Sequence, residues 1–263
     1  MSVRIDDRVR ACRNGDGGFG PVPGAPSEPE PTALAAIALD DEDARAWLRA
    51  HQRDDGGFGP VVGPVVRDDT GVVALALAAG PERERALDKV VGTFGNNGPG
   101  VEGDPLGWPW SDGTHGWVEP TAWAMLALRA HRPSAVERVR DGLELLRVRE
   151  SVGGGWNFGD RTMLGVDQRP YVQTTGIALL ALHGLDEALS ARGLRTLRDR
   201  WGAEASGLLS LAVATAALRR YGAPEADDAM RRLREAAPSG QDAVSLGWSS
   251  LALGPGLRTL EVP

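Results

Sequence analysis

The fold of this chain is indicated by the stretch Arg67-Asp68-Asp69-Thr70-Gly71-Val72-Val73-Ala74-Leu75-Ala76-Leu77. It opens with two carboxylates and a threonine, and it continues as small apolar residues without charge. The same pattern recurs at residues 30–39, 119–128 and 173–182. In each copy an acid or amide stands two residues before a threonine, a position that we call the acid slot. The acid slot is occupied in turn by Glu30, Asp68, Glu119 and Gln173.

Apolar segments alternate with charged segments along the whole chain. An apolar run without a polar face is typical of a helix that is buried on all sides, whereas a charged amphipathic run is typical of a surface helix. Glycine-rich breaks separate the two kinds of segment. The predicted charged helices are residues 3–13, 40–52, 81–94, 134–150, 187–201 and 224–236. The predicted apolar helices are residues 33–39, 72–77, 120–130, 174–184, 208–218 and 243–253.

Six such pairs, repeating at about 38–54 residues, indicate a repeat architecture. We predict an all-α protein, an α/α toroid of six helix pairs in a single domain over residues 1–263. The apolar helices form its inner ring and the charged helices its outer ring. An open solenoid would need polar capping repeats at its ends, and neither end of the sequence has that character.

Composition narrows the function classes. Asp and Glu number 36 against 29 Lys and Arg, for a net charge of −7, so nucleic acid and anionic membranes are disfavoured as partners. Cys12 is the single cysteine, which excludes a disulfide framework and a multi-cysteine zinc site. The sequence has neither a signal-peptide apolar region nor an apolar run long enough to span a membrane. We expect a cytoplasmic protein of bacterial type.

Residues 52–59 and 154–159, together with the threonine-initiated helices, resemble the repeats of the terpenoid cyclase and protein prenyltransferase superfamily, in particular those of squalene–hopene cyclases. The resemblance covers nearly the whole chain. Gly107-Trp108-Pro109-Trp110 and residues 117–124 most resemble a bacterial single-toroid group of that superfamily. Its prenyltransferases hold zinc with an Asp-x-Cys pair and a later His, and this chain contains no Asp-x-Cys. The resemblance therefore implies no metal site.

The class II cyclases of the superfamily protonate an alkene or epoxide with an Asp of an Asp-x-Asp-Asp-Thr-Ala motif. Residues 66–71 resemble that motif, with Asp68 in the proton-donating position, Asp69 after it and Val66 in place of the first Asp. His115, ahead of Glu119, resembles the histidine that hydrogen-bonds the catalytic acid. The resemblance implies that Asp68 is the acid and that Asp69 and His115 support it, while Val66 removes a carboxylate that helps to set its acidity.

Protonation of a carbon–carbon double bond needs a strong acid in a dry pocket. Burial raises the pKa of a carboxyl group, and a neighbouring cation such as Arg67 lowers it again. The resulting carbocation is stabilised by aromatic faces. The residues that we expect to line the substrate cavity are Glu30, Arg67, Trp108, Trp110, Trp117, Glu119, Trp123, Trp156, Phe158, Tyr171 and Gln173.

Each of these functional assignments has an alternative in which the residue serves only the structure. Acids at helix starts are favoured by the helix dipole and cap free N–H groups, which suffices to explain Glu30 and Glu119. A loop histidine such as His115 is commonly satisfied by backbone groups. The tryptophans can equally pack between repeats, and for Trp156 and its counterparts Phe19 and Phe58 we expect packing.

The favoured function is a metal-free class II isoprenoid cyclase or isomerase that acts on a hydrophobic polyene and needs no cofactor. Mg²⁺ would enter only with a diphosphate substrate, for which Arg67, Arg161 and Arg169 are the basic residues near the inner-helix starts. The alternative is a non-catalytic toroid that binds a lipid or peptide, and a third possibility is prenyl transfer. Class II cyclases usually close the site with a second toroid, so a homo-oligomer or a partner protein is expected to close the cavity here.

Overall fold

The computed structural model describes residues 5–61, 67–96 and 107–262. The protein is mostly helical, which confirms the predicted all-α class. The helices are α1 (Ile5–Arg10), α2 (Pro29–Leu39), α3 (Glu42–Ala50), α4 (Thr70–Ala76), α5 (Pro81–Gly92), α6 (Val118–His131), α7 (Val136–Arg149), α8 (Val172–Leu182), α9 (Glu187–Glu204), α10 (Leu208–Arg220), α11 (Ala226–Ala236) and α12 (Ala243–Leu253). Short 3₁₀ helices cover Ala237–Ser239 and Pro255–Leu260.

The even-numbered helices contact one another in a cycle. Helix α2 packs on α4, α4 on α6, α6 on α8, α8 on α10, α10 on α12, and α12 returns to α2. Each odd-numbered helix packs on the even-numbered helix before it in this cycle: α3 on α2, α5 on α4, α7 on α6, α9 on α8, α11 on α10, and α1 on α12. The predicted α/α toroid has the same order of contacts, and the toroid itself stays a prediction.

Burial separates the two sets of helices as their composition predicts. In α8 every residue except Gln173 is buried, whereas α11 buries only Ala229 and Leu233. An apolar helix loses contact with water on all sides only when other helices surround it. The even-numbered helices therefore form the core and the odd-numbered helices cover it. Within the described ranges, no helix is both long and apolar enough to cross a bilayer.

One hydrogen bond recurs wherever a glycine-rich loop meets the start of an inner helix. The hydroxyl oxygen of the repeat threonine accepts the backbone N–H of the aromatic residue that ends the loop, which would otherwise be a buried donor without a partner. The four pairs are Phe19 to Thr32 and Phe58 to Thr70, at 2.9 Å, and Trp108 to Thr121 and Trp156 to Thr175, at 3.0 Å. We call these bonds the threonine locks.

Glycine is needed where these loops run against the neighbouring outer helix. Gly56 has a φ of 84°, and a Cβ there would lie 2.6 Å from the carbonyl oxygen of Arg85. Any other residue would therefore combine an unfavourable backbone conformation with a steric clash. The loop can approach α5 closely only because the side chain is absent.

Arginines bond to carbonyl groups at the C-terminal ends of several inner helices. Arg45 donates to the carbonyls of Ala36 and Ala76, at 3.3 and 3.1 Å. Arg129 donates to the carbonyl of Ala181 at 2.7 Å, and Arg219 donates in the same way to Ala252. Cations are stabilising at this end of a helix because the helix dipole is negative there.

Two tryptophans occupy the interior of the helix cycle. Trp123 on α6 and Trp248 on α12 belong to helices three places apart in the cycle, and their ring centroids lie 5.3 Å apart. Both side chains are buried. The sequence led us to expect a central apolar cavity inside the ring, with the N-termini of the inner helices at its mouth. At this level the interior is filled, because two indoles are large enough to meet across it.

The stretch between Asp160 and Arg169, which we expected to be a loop, contains a short hairpin. Strand β1 (Thr162–Met163) pairs with β2 (Val166–Asp167) in antiparallel register. A two-residue turn connects them, and both turn residues have positive φ, 50° for Leu164 and 76° for Gly165. The sequence did not predict the hairpin, because strands of two residues are too short to show an alternation of polar and apolar residues.

Adjacent threonines on α8 provide a matched test of the threonine lock. Thr175→Val removes the acceptor of the Trp156 N–H, and an unsatisfied buried N–H costs about 1–3 kcal/mol. Thr174 is also buried, but its hydroxyl oxygen has no hydrogen-bond partner among the described residues. We expect urea unfolding to show a loss of about 1–3 kcal/mol for Thr175→Val and no loss for Thr174→Val. Equal losses in the two variants would show that the lock contributes nothing specific.

Candidate functional site

A pocket lies at the N-terminal ends of α4 and α6, beside the start of α2. It brings acid-slot residues of neighbouring repeats together with tryptophans from the loop that precedes α6. Its volume is about 20 Å³, which is room for about one water molecule. We call it the acid pocket. Its lining includes the carboxyl groups of Glu30, Asp68 and Asp69 and the indoles of Trp108, Trp110 and Trp123.

Arg67 joins two of the carboxylates. Its Nη2 lies 2.6 Å from Oε2 of Glu30, and its Nε lies 2.7 Å from Oδ1 of Asp69. The guanidinium also lies over the ring of Trp110, with Cζ 5.6 Å from the ring centroid. These two carboxylates raise the pKa of Arg67 against the opposing effect of burial. Arg67 therefore stays charged and holds the starts of α2 and α4 together.

Asp69 is buried, with a side chain that is 3% exposed. Burial raises its pKa to about 7, the Arg67 charge opposes that rise, and the nearby Glu30 and Asp68 add to it. The ion pair with Arg67 is thus too weak to cancel desolvation and the repulsion between acids. Near neutral pH, Asp69 is therefore divided between its protonated and ionised forms.

Asp68 is held by the backbone on both sides. Its N–H donates to the carbonyl of Trp110 at 2.6 Å, and its Oδ1 accepts the N–H of Thr70 at 2.8 Å. Burial raises the pKa of Asp68, while hydrogen bonds from Thr70 and the charges of Arg53 and Lys89 lower it. Burial therefore favours the protonated form of Asp68. The hydrogen bonds from Thr70 and the two nearby cations stabilise the carboxylate that remains when the proton is lost.

Glu119 is the fourth acid here, and we call Glu30, Asp68, Asp69 and Glu119 the acid cluster. Burial raises its pKa to about 7, and Glu30 and Asp69 add to this by repulsion, while Arg67 opposes it. Among the described residues, its carboxylate makes no hydrogen bond or ion pair. Its acidity is consequently set by desolvation and by the field of the other members of the cluster.

Among the acid-slot residues, a capping hydrogen bond is found at Asp68 and not at the two glutamates, for which it was expected. Glu30 bonds to Arg67, and neither Glu30 nor Glu119 accepts a backbone N–H from the described part of the chain. Asp68, which the resemblance marks as the acid, is the one that accepts a backbone N–H at its helix start. Capping therefore accounts for one oxygen of Asp68, whereas Glu30 is held by Arg67 and no capping bond accounts for Glu119.

The aromatic residues expected to line the cavity divide into packed and exposed groups. Trp156 is fully buried and its Nε1 donates to the carbonyl of Leu146 at 2.7 Å, so it packs against α7 as expected. Trp108 donates in the same way to Val90 at 2.7 Å, yet it also lines the acid pocket. Phe158 and Tyr171 are partly exposed and lie 5.0 Å apart.

His115 borders a different cavity from Asp68. It stacks on Trp117 with a centroid distance of 4.4 Å, and both line a groove of about 320 Å³ that also includes Phe158 and Tyr171. Gln173 lines a neighbouring pocket with Phe158 and Tyr171. The residues expected to form one site are thus distributed between the acid pocket and this groove, which we call the aromatic groove. Val66, the departure from the cyclase motif, lies outside the described residues.

Two basic residues near Asp68 were not among the predicted site residues. Arg53 belongs to the glycine-rich loop, and Lys89 lies on α5, where its Nζ is 3.1 Å from Asp55 and 3.4 Å from Asp112. Lys89 is the single lysine of the chain. The composition shows that it is unusual but does not show that it lies near Asp68. In the ranges that the structure describes, no three His, Cys, Asp or Glu residues are arranged to hold a metal ion.

The raised pKa of Glu119 predicts a specific pH dependence of stability. Unfolded Glu119 ionises near pH 4.5, whereas folded Glu119 holds its proton to about pH 7. The folded state therefore binds more protons in this window, and its stability falls as pH rises through it. Glu119→Gln removes the penalty, and we expect a gain of about 1–3 kcal/mol over wild type at pH 8 and little difference at pH 4. Urea unfolding at both pH values measures this.

Glu137→Gln is the control for that experiment, because its carboxylate is exposed on α7. It should match wild type at both pH values. A Glu119→Gln variant that gains nothing at pH 8 would show that the carboxyl group is solvated in the folded protein.

Comparison with known proteins gives support for the fold alone. No family model matches the chain, and no curated protein matches it. Among solved structures, one described as "Crystal structure of a protein from Actinoplanes" matches with a TM-score of 0.61 at 16% sequence identity. The match covers 98% of this chain and 100% of the other. At that identity the two chains are similar in fold, and the similarity carries no information on activity.

Proposed function

We propose that the protein is a protonation-initiated isoprenoid cyclase or isomerase that uses Asp68 as its acid. The observation that carries the proposal is the convergence of Asp68, Asp69 and Glu30 on a pocket that is also lined by three tryptophans. Proton-holding carboxyl groups next to aromatic faces are the pair of features that carbocation chemistry requires. The substrate class comes from the resemblance of the repeats.

In the proposed first step, the O–H bond of Asp68 breaks and a C–H bond forms at one end of a substrate double bond. The π electrons make the new bond, and the other carbon becomes cationic. The N–H of Thr70, 2.8 Å from Oδ1, stabilises the carboxylate that is left behind. A later C–H bond gives its proton back to a carboxylate of the pocket, so the enzyme regains its proton and the product is an isomer of the substrate.

Asp69 and Glu119 supply protons in this scheme. Because the pKa of each is about 7, a fraction of each is protonated at neutral pH and can recharge Asp68. Arg67 keeps Glu30 and Asp69 in place through contacts of 2.6 and 2.7 Å. Arg67 is therefore a positioning residue in the proposal.

The pocket limits how a substrate can bind. With a volume of about 20 Å³ and with Trp123 against Trp248 in the interior, it has room for about one water molecule, so the proposal requires side chains of the pocket to move before the reacting end of an isoprenoid can enter. The indole of Trp123 lines the pocket, and its Nε1 is buried without a hydrogen-bond partner among the described residues. Binding of a longer chain inside the ring would require these two indoles to move apart.

A non-catalytic binding protein is the second candidate, and the filled interior favours it. Trp123 and Trp248 leave no room at their level for a polyene to fold into a ring. In that case a lipid or peptide would bind in the aromatic groove of about 320 Å³, and the acids would bind a polar or cationic end of it. Prenyl transfer has no supporting feature in the acid pocket.

Product analysis tests the proposal directly. Wild type is incubated with linear isoprenoids, both neutral and diphosphorylated, and the products are analysed by mass spectrometry with chromatography. We expect an isomeric cyclic or rearranged product that Asp68→Asn reduces by at least 10³-fold, because the donor of the initiating proton is removed. Asp54→Asn changes an exposed loop acid outside the pocket and should keep wild-type activity.

A ligand that co-purifies with wild type and Asp68→Asn alike, without turnover of any substrate, would instead support the binding protein. Turnover that persists in Asp68→Asn but disappears in Asp69→Asn would move the acid to Asp69. A requirement for added Mg²⁺ with neutral substrates would contradict the metal-free mechanism.

A further inference from the structure

One side chain in the wall of the acid pocket has a hydrogen-bond donor that the chain leaves unused. Trp123 lines this pocket and is 3% exposed. Its Nε1–H is buried and has no hydrogen-bond partner among the described residues. The indoles of Trp108 and Trp156, by contrast, donate to carbonyl oxygens at 2.7 Å. A buried indole N–H normally has an acceptor, so this donor indicates that the acceptor comes from outside the chain.

Glu119 stands about one helical turn before Trp123 on α6. Residues four apart lie on the same face of a helix, and the later side chain leans toward the earlier one. The carboxyl group of Glu119 makes no hydrogen bond or ion pair within the ranges that the structure describes. The residue after it, Pro120, lines the acid pocket. An unused N–H donor and an unused carboxyl group therefore share one face of α6 at this pocket.

The size of the pocket restricts the chemical group that can join this donor and acceptor. The volume of about 20 Å³ has room for about one water molecule, and a hydroxyl group is of the same size. A hydroxyl oxygen accepts a hydrogen bond while its hydrogen is donated, so one hydroxyl group satisfies both protein groups at once. A diphosphate is too large for this space, and its charge would be repelled by Glu30, Asp68 and Asp69 in the pocket wall.

We propose that the acid pocket binds the hydroxyl group of a neutral alcohol, with Trp123 donating to its oxygen and Glu119 accepting its hydrogen. Trp108, Val72 and Val90 supply apolar wall in the same pocket, which suits the carbon that carries the hydroxyl group. The remainder of the ligand is an isoprenoid chain, and this part of the inference rests on the proposed function. The chain needs the same movement of pocket side chains as the proposed reaction, whereas the hydroxyl oxygen fits the space that is present.

The same two groups make the pocket selective. A hydrocarbon in this place would leave the indole N–H and the carboxyl group buried without partners. Sites that hydrogen-bond a substrate hydroxyl group discriminate strongly against the analogue that lacks it, for this reason. Trp123 and Glu119 are therefore specificity determinants that favour an isoprenoid alcohol over the matching hydrocarbon. Neither group has to transfer a proton for this, so the hydroxyl site does not depend on protonation of a double bond by Asp68.

Binding to the Asp68→Asn variant tests the inference, because turnover by Asp68 cannot then change the ligand. The probes are geraniol, farnesol and geranylgeraniol, each compared with the hydrocarbon that lacks the hydroxyl group. Equilibrium dialysis with quantification by mass spectrometry gives the affinities. We expect an alcohol to bind about 10–100-fold more tightly than its hydrocarbon, because the hydrocarbon leaves a buried donor unpaired.

Substitutions of the two groups, made in the same Asp68→Asn background, separate a hydrogen bond from a merely structural role. Trp123→Phe keeps an aromatic ring but removes the N–H, and it should abolish the preference for the alcohol while the hydrocarbon still binds. Glu119→Leu should reduce the preference, whereas Glu119→Gln retains an acceptor oxygen and should keep it. Trp201→Phe changes a buried indole on the outer helix α9 and should behave like the background. Circular dichroism of each variant checks that it is folded.

Equal affinity of every alcohol and its hydrocarbon would overturn the inference, and so would a preference that survives Trp123→Phe. A crystal structure with a water molecule between Trp123 and Glu119, and with a bound alcohol elsewhere, would assign the two groups to water only and would also overturn it. Failure of the proposed function gives a different result. An alcohol preference without any turnover by wild type would contradict the cyclase and leave the hydroxyl site standing, and turnover of hydrocarbons without that preference would do the reverse.

Discussion

The threonine locks are the constraint on which the arrangement of the site depends. Each glycine-rich loop has one buried backbone N–H that the helix ladder does not satisfy, and the hydroxyl of the repeat threonine accepts it in four repeats. The lock also fixes the acid-slot residue, two positions before the threonine, at the N-terminal rim of the inner helices. Because α2, α4 and α6 are neighbours in the cycle, their acid slots converge.

The same geometry separates charge between the two ends of the inner helices. The N-termini of α2, α4 and α6 face the glycine-rich loops and the acid cluster, and arginines such as Arg45, Arg129 and Arg219 bond to carbonyls at the other end of inner helices. The helix dipoles favour both placements. At the acid end, however, the carboxylates repel one another, and Arg67 is the cation placed between Glu30 and Asp69. Burial is the main cause of the raised pKa values of Asp69 and Glu119, and this repulsion adds to it.

The sequence predicted the features that are set within one repeat, namely the order and the approximate bounds of the helices. The apolar runs gave the order of the helices, and α12 begins and ends at the predicted residues. Contacts between repeats were beyond prediction, since nothing in the sequence shows which side chains face one another across the cycle. Trp248 carries no motif, yet it fills the interior with Trp123. The separation of His115 from Asp68 depends in the same way on the path of a loop.

Glu119 carries a cost to folding that the corresponding position of α8 avoids. Gln173 occupies the same slot at the start of α8 without a charge, so the repeat can be built with an amide there. A carboxyl group in that slot of α6 has a pKa of about 7, and it lowers the stability of the folded state when it ionises. A group with this pKa gives and accepts protons with equal ease at neutral pH. The fold bears that cost without gaining a cap or an ion pair from the described residues, and the proposed function assigns this side chain to the supply of protons.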